Sequence, residues 1–161
     1  MRIGVVSDTH NHLPNTRRIV ELLNDASVDR VVHTGDVTQA KTLRVLADLE
    51  APLFGVYGNN DLERNDLEST CAELGLHFSD PPLRVTWAER RIVVVHDPLD
   101  LHPPLLSEVD LALHGHDHRH RAEAHCGALV FNPGECAGHI PGSNQVGVVD
   151  LIALETEVLR F

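Results

Sequence analysis

The chain opens on an apolar run, Arg2 to Ser7, that stops abruptly at Asp8-Thr-His10, and the same profile recurs four more times. Arg30 to Thr34 ends in Gly35-Asp36, and Leu53 to Tyr57 ends in Gly58-Asn-Asn-Asp61. Arg91 to Val95 ends in His96, and Leu111 to His114 ends in Gly115-His-Asp-His118. Short runs that are apolar throughout predict buried strands. A strand that delivers polar side chains at its carboxyl end is how open α/β sheets furnish a crevice. Gly-Asp pairs also make ordinary turns. Repetition at five strand ends is what turns the pattern into a site.

Between these runs the period changes to that of a helix. Asn15 to Ala26 carries Ile19, Leu22, Leu23 and Ala26 on one face, and Lys41 to Leu49 carries Leu43, Leu46 and Ala47 with Ala40 just ahead. Glu63 to Leu74 predicts a third helix closed by Gly75. The order β-α-β-α-β predicts a parallel sheet with right-handed crossovers. After Pro81-Pro82 the style shifts to a hairpin, Leu83 to Trp87 against Ile92 to His96. A short helix is expected over Leu105 to Val109. The tail reads as antiparallel β: Ala122 to His125, a Cys126-Gly127 turn, Ala128 to Phe131, Val146 to Leu154 and Val158 to Phe161. The expectation is an α/β fold, two sheets packed face to face with helices outside. With no repeat, low-complexity tract or linker, residues 1–161 are expected to form one domain.

Composition narrows the function classes. At 161 residues and 42% hydrophobic content the chain supports a real core. A formal charge of −11 argues against an extended nucleic-acid surface. The apolar runs are far shorter than a membrane span. Met1 leads almost directly into the first strand, and Cys71, Cys126 and Cys136 show no CxxC spacing. A reduced, cytoplasmic chain without a signal peptide is the expectation. The pattern leaves monomer and homo-oligomer both open.

The chemistry sits at the strand ends. Asp, Asn and His together suit borderline divalent ions such as Mn²⁺, Fe²⁺, Ni²⁺ or Zn²⁺. Hard Ca²⁺ or Mg²⁺ sites use more oxygen and less imidazole. In extended backbone the side chains of Asp8 and His10, two apart, face the same way, as do those of His116 and His118. Each pair is therefore expected to serve one cluster. Turn propensity alone does not call for histidine at positions 10, 96, 116 and 118.

The ordered set Asp8-x-His10, Gly35-Asp36, Gly58-Asn59-Asn60-Asp61, His96 and Gly115-His116-x-His118 resembles the calcineurin-like metallophosphoesterases. The small size, and Asn132-Pro-Gly134, resemble the minimal bacterial and archaeal phosphodiesterase subgroup. The resemblance implies a four-layer α/β sandwich and a metal-dependent phosphoesterase, a phosphodiesterase above all. Two divalent ions per chain are implied, Mn²⁺ first, one held by Asp8, His10, Asp36 and His118 and the other by Asp36, Asn59, His96 and His116. A hydroxide bridging them would be the nucleophile and a small phosphodiester the substrate. The same fold also serves as a non-catalytic interaction scaffold, which is the alternative reading.

Two positions depart from the family pattern. Asn60 stands where many members have a histidine and the subgroup often a cysteine, and asparagine supplies no proton at neutral pH. Asp97 stands where glycine usually follows the ligand histidine. Asp61 is expected to orient a ligand histidine. His33 and His114, inside apolar strands, are expected to be hydrogen-bonded core residues, while His12, His120 and His139 lie in loops that reach either the mouth or open surface.

Overall fold

The computed structural model describes residues 1–161. Its first half alternates strand and helix: β1 (Arg2–Val6), α1 (Leu13–Asp25), β2 (Arg30–His33), α2 (Ala40–Leu46), β3 (Leu53–Val56), α3 (Arg64–Leu74) and β4 (His77–Ser79). The second half holds β5 (Leu83–Trp87), β6 (Arg90–Val94), a 3₁₀ turn at Pro98–Asp100, α4 (Pro103–Leu106) and β7 (Leu111–Leu113). It closes with β8 (Arg121–His125), β9 (Ala128–Asn132), β10 (Gln145–Asp150) and β11 (Glu155–Arg160). One sheet has the order β11-β10-β1-β2-β3-β4, the other β5-β6-β7-β9-β8.

Side-chain alternation along the strands sorts the core into layers. Ile3, Val5, Val32 and Val56 of the first sheet meet Ile92, Val94, Leu111, Leu113 and Phe131 of the second. Val6 and Val31 face the other way, onto Ile19 and Leu23 of α1 and Leu46 of α2. Beyond the second sheet, Val93, Ala112 and Val130 pack under Leu105 and Leu106 of α4. Helices, sheet, sheet and helix make the expected four-layer α/β sandwich. Each fully buried Val, Leu or Ile in these layers contributes roughly 1.5–3 kcal/mol.

Strand direction decides where the site forms. β1, β2, β3 and β4 run parallel, and so do β6, β7 and β9. The carboxyl ends of β1, β2 and β3 in one sheet, and of β6, β7 and β9 in the other, feed the loops that carry the polar side chains. Here the structure corrects the sequence reading, because β9 pairs with β7 in parallel rather than continuing an antiparallel tail. Its carboxyl end therefore also reaches the site.

Other departures are local. α1 begins at Leu13, with Pro14 in its first turn, where a missing N–H costs nothing. α2 stops at Leu46, and α4 spans Pro103–Leu106 instead of Leu105 to Val109. β4 is three residues long and adds an unanticipated edge strand. Gly75 closes α3 in the left-handed conformation (φ +69°), as expected.

Candidate metal centre

The loops expected to carry ligands converge, though by a different backbone route from the one expected. Asp8, His10, Asp36, His116 and His118 all have positive φ, from +41° to +73°. Extended pairing therefore does not describe these loops: sharp left-handed turns bring His10 back beside Asp8, but send His116 toward His96 and His118 toward His10, so the second pair does not serve one group as expected. For residues other than glycine such angles cost free energy and persist where surrounding contacts over-determine them. Part of that constraint comes from glycine. A Cβ on Gly35 (φ +109°) would stand 2.6 Å from His96 Nδ1, and one on Gly115 would overlap Ser7 Oγ. Neither loop could close with a larger residue.

Two donor groups result. Asp8 Oδ1 lies 3.8 Å from both His10 Nε2 and His118 Nε2, which are 3.3 Å from each other. On the other side, His96 Nε2 lies 2.8 Å from Asn59 Oδ1 and 3.2 Å from His116 Nδ1. Asp36 Oδ2 reaches both groups, 3.6 Å from His10 Nε2 and 3.5 Å from His96 Nε2. All seven residues expected as ligands thus come together around one shared carboxylate.

The chemistry of these atoms fits cations. His96 Nδ1 donates to the Thr34 carbonyl at 3.0 Å, so in the neutral ring Nε2 presents a lone pair to the Asn59 oxygen. His118 Nδ1 donates to Glu135, which turns the Nε2 lone pair toward His10 and Asp8. Asp8 Oδ1 is buried without a hydrogen-bond partner. Facing lone pairs and an orphaned carboxylate oxygen are what divalent ions satisfy. Asp8 Oδ2 is held by Ser7 Oγ and by the His116 N–H at 2.9 Å.

Burial also disfavours the charged form of two histidines in this region. It lowers the pKa of His10 despite the nearby Asp36 and Asp8, and it pushes His33 down to about 3. His33 accepts from the Gly35 N–H at 3.1 Å through Nδ1 and meets Thr9 Oγ1 at 3.1 Å through Nε2. It braces the Asp36 turn from behind, as a core histidine. His114 is likewise buried and bonded to the Gly115 carbonyl.

One supporting residue behaves differently from expectation. Asp61 bonds no ligand histidine. Its carboxylate accepts from the backbone N–H groups of Asp36, Thr38 and Gly58 at 3.0, 2.6 and 2.6 Å, locking two ligand loops together. Burial raises its pKa, and those same N–H groups oppose the rise. Asn60 turns toward Asp36, donating from its backbone N–H to Oδ1 at 2.9 Å and from Nδ2 to Oδ2 at 2.7 Å. Asp97 caps the 3₁₀ turn by accepting from the Leu99 N–H at 2.9 Å, and also lines a cavity beside the site.

Glu135 is the functional residue that sequence reasoning missed. It is buried, and its second oxygen accepts from the His139 N–H at 2.7 Å. Burial raises its pKa, but the bonds from His118 and His139 outweigh this and leave it net lowered, hence ionised. The signal available was its place directly after Asn132-Pro-Gly134. Asn132 Nδ2 bonds the Gly115 carbonyl at 3.2 Å and Asp117 Oδ1 at 2.7 Å, clamping that turn onto the histidine loop. Of the loop histidines, His139 lies with its ring centroid 5.3 Å from those of His10 and His118, His120 packs on Phe131, and His12 caps α1.

Known proteins resemble this chain in sequence and in fold. Residues 1–153 match the model of the calcineurin-like phosphoesterase superfamily domain. Phosphodiesterase MJ0936 of Methanocaldococcus jannaschii is 32% identical over 157 residues, 93% of each chain. Phosphodiesterase YfcE of Escherichia coli is 27% identical over 147 residues, 83% of this chain and 78% of the relative. The solved structure of a novel archaeal phosphodiesterase superposes with a TM-score of 0.91 at 32% identity, covering all of both chains. Vps29 of Entamoeba histolytica, at 18% identity and a TM-score of 0.69 over 100% of this chain and 99% of that one, shares the fold.

Proposed function

The chain belongs to the calcineurin-like phosphoesterase superfamily, and from that membership and the converging lone pairs we propose that it is a two-metal phosphodiesterase. The single observation that carries the reading is the shared Asp36 carboxylate between two groups of imidazole and oxygen donors. Asp8, His10, Asp36 and His118 would hold one ion, and Asp36, Asn59, His96 and His116 the other. Two divalent ions bound there would supply a hydroxide nucleophile and offset the charge that develops on the phosphoryl oxygens. The mixed oxygen and imidazole set fits Mn²⁺, Fe²⁺, Ni²⁺ or Zn²⁺, and the resemblance to the family puts Mn²⁺ first.

The chain's own residues set the rest. Glu135 and the Thr34 carbonyl fix the tautomers of His118 and His96. Asn60 and the Asp61 network hold Asp36 in place. A cavity of about 440 Å³ opens beside Asn59, His96 and His116, with Tyr57, Asp97 and Asp100 on its walls. Those carboxylates, in a chain of net charge −11, favour a diester over a monoester, which carries one negative charge more. The two relatives named as phosphodiesterases support the same preference. No observation favours the scaffold reading, since likeness to Vps29 at 18% identity concerns the fold alone.

Asn60 makes the reading specific. A general acid contributes typically about 10²–10⁴-fold when the leaving group needs a proton, and Asn60 has none to give. The expected result, on a panel of diesters with reconstituted metal, is turnover of aryl diesters that exceeds alkyl diesters by about 10²-fold or more. Asn60→His is expected to narrow that gap and add an alkaline limb to the pH–rate profile. Equal rates across the leaving-group series in wild type would show that another group supplies the proton. No turnover on any ester would overturn the enzyme reading.

A further inference from the structure

Most arginines on this surface are neutralised by carboxylates, Arg44 by Glu73 and Arg91 by Asp110 among them. Arg119 and Arg160 are not, and both line one pocket, about 350 Å³ in volume, that begins at the ligand His118. Arg160 stands on β11 opposite Gln145 of β10. Its Nε donates to Gln145 Oε1 at 3.4 Å, while Gln145 Nε2 donates to the Pro133 carbonyl at 2.7 Å. The guanidinium is thus set from the same turn that carries Glu135. Glu135 is the pocket's one carboxylate, and both of its oxygens are engaged, by His118 and by the His139 N–H. The pocket is net basic in a chain of charge −11.

The cavity at the other ligand group has the opposite character. Asp97 and Asp100 line it, and the charge of its Arg64 is met by Asp80 at 2.8 Å. The two spaces share no lining residue, and each touches a different set of metal-ligating side chains. A diester has two ester arms, and these surroundings distinguish them by charge. Guanidinium groups without carboxylate partners bind phosphate and carboxylate oxygens well, and here they compete with few local anions.

We propose that the Arg119–Arg160 pocket receives an anionic group, a phosphate or a carboxylate, carried on one ester arm of the substrate. The other arm, uncharged or cationic, lies against Asp97 and Asp100. The inference rests on the phosphodiesterase reading and adds to it the charge class of the substrate.

The test compares p-nitrophenyl phosphodiesters whose second arm is butyl, carboxypropyl or phosphopropyl, matched in length, on the metal-reconstituted full chain. The charged arms are expected to give a kcat/KM about tenfold higher than butyl, mostly through KM, because hydrogen bonds to charged groups are worth that much. Arg119→Gln and Arg160→Gln are each expected to reduce this ratio. Arg17→Gln, which removes the same charge from an exposed, unpaired arginine on α1, is expected to leave it unchanged. Turnover without a charged-arm preference, or a loss in Arg17→Gln equal to that in Arg160→Gln, would overturn the pocket while the phosphodiesterase reading stands. The pocket is a free-anion site, contrary to the proposal, if sulfate inhibits butyl and charged-arm substrates equally and this inhibition weakens in Arg160→Gln. Absence of turnover on every diester overturns both.

Discussion

Asp36→Asn is expected to lower turnover by about 10³-fold or more, since a divalent ion contributes several kcal/mol to such a transition state and each 1.36 kcal/mol is tenfold. The reason is the double reach of one oxygen. Asp36 Oδ2 lies 3.6 Å from His10 Nε2 and 3.5 Å from His96 Nε2, so losing its charge weakens both donor groups at once. Asparagine is the right probe because it keeps the side-chain shape and tolerates the left-handed backbone, φ +60°, at this position. The Asp36 N–H that donates to Asp61 is untouched and the amide oxygen still accepts one of the two bonds from Asn60, so the loop should stay closed. His118→Ala supplies the contrast, removing a donor from the Asp8–His10 side alone. Thermal midpoint, bound metal by elemental analysis and kcat on bis(p-nitrophenyl) phosphate are the measurements. A stable Asp36→Asn protein that keeps its metal and most of its turnover would remove the shared carboxylate from the account.

The second large effect is expected at Glu135. Glu135→Gln leaves an amide oxygen for the His139 N–H but removes the charge that holds the proton on His118 Nδ1. Carboxylates that orient metal-binding histidines typically contribute about 10- to 100-fold in metal affinity or activity. The metal concentration needed for half-maximal activity should rise by about that factor. Saturating metal should restore much of the loss, which a simple folding defect would not allow. Glu135→Asp should fall between the two. A Glu135→Gln variant with an unchanged metal dependence would show that His118 needs no such partner.

These two residues also mark how far the sequence could be read. Asp36 was legible because the signal is local: an apolar run, then Gly-Asp, in series with four similar strand ends. The glycines and histidines around it have few other reasons to sit there. Glu135 was hidden because its role depends on strand direction. Only the parallel pairing of β9 with β7 carries its loop to His118, and a short apolar run does not reveal which way it will pair. Asp61 was placed in the right loop but given the wrong partner. The N–H groups it binds, on Asp36 and Thr38, are 25 and 23 residues away in sequence and belong to another turn. The positive φ angles at five candidate ligands were invisible for a related reason. Asp and His adopt such angles more readily than most residues, but here packing and close glycine approaches fix them. β4 was missed because three residues carry too little periodicity to register.

The most direct test of the central claim is to count and locate the ions. Full-length protein, stripped and then reconstituted with Mn²⁺, would be analysed for metal content and crystallised for anomalous diffraction at the Mn edge. The account predicts two peaks per chain with the Asp36 carboxylate between them, His10 and His118 on one, and Asn59, His96 and His116 on the other. A single peak in protein that turns over diesters at its full rate would contradict it.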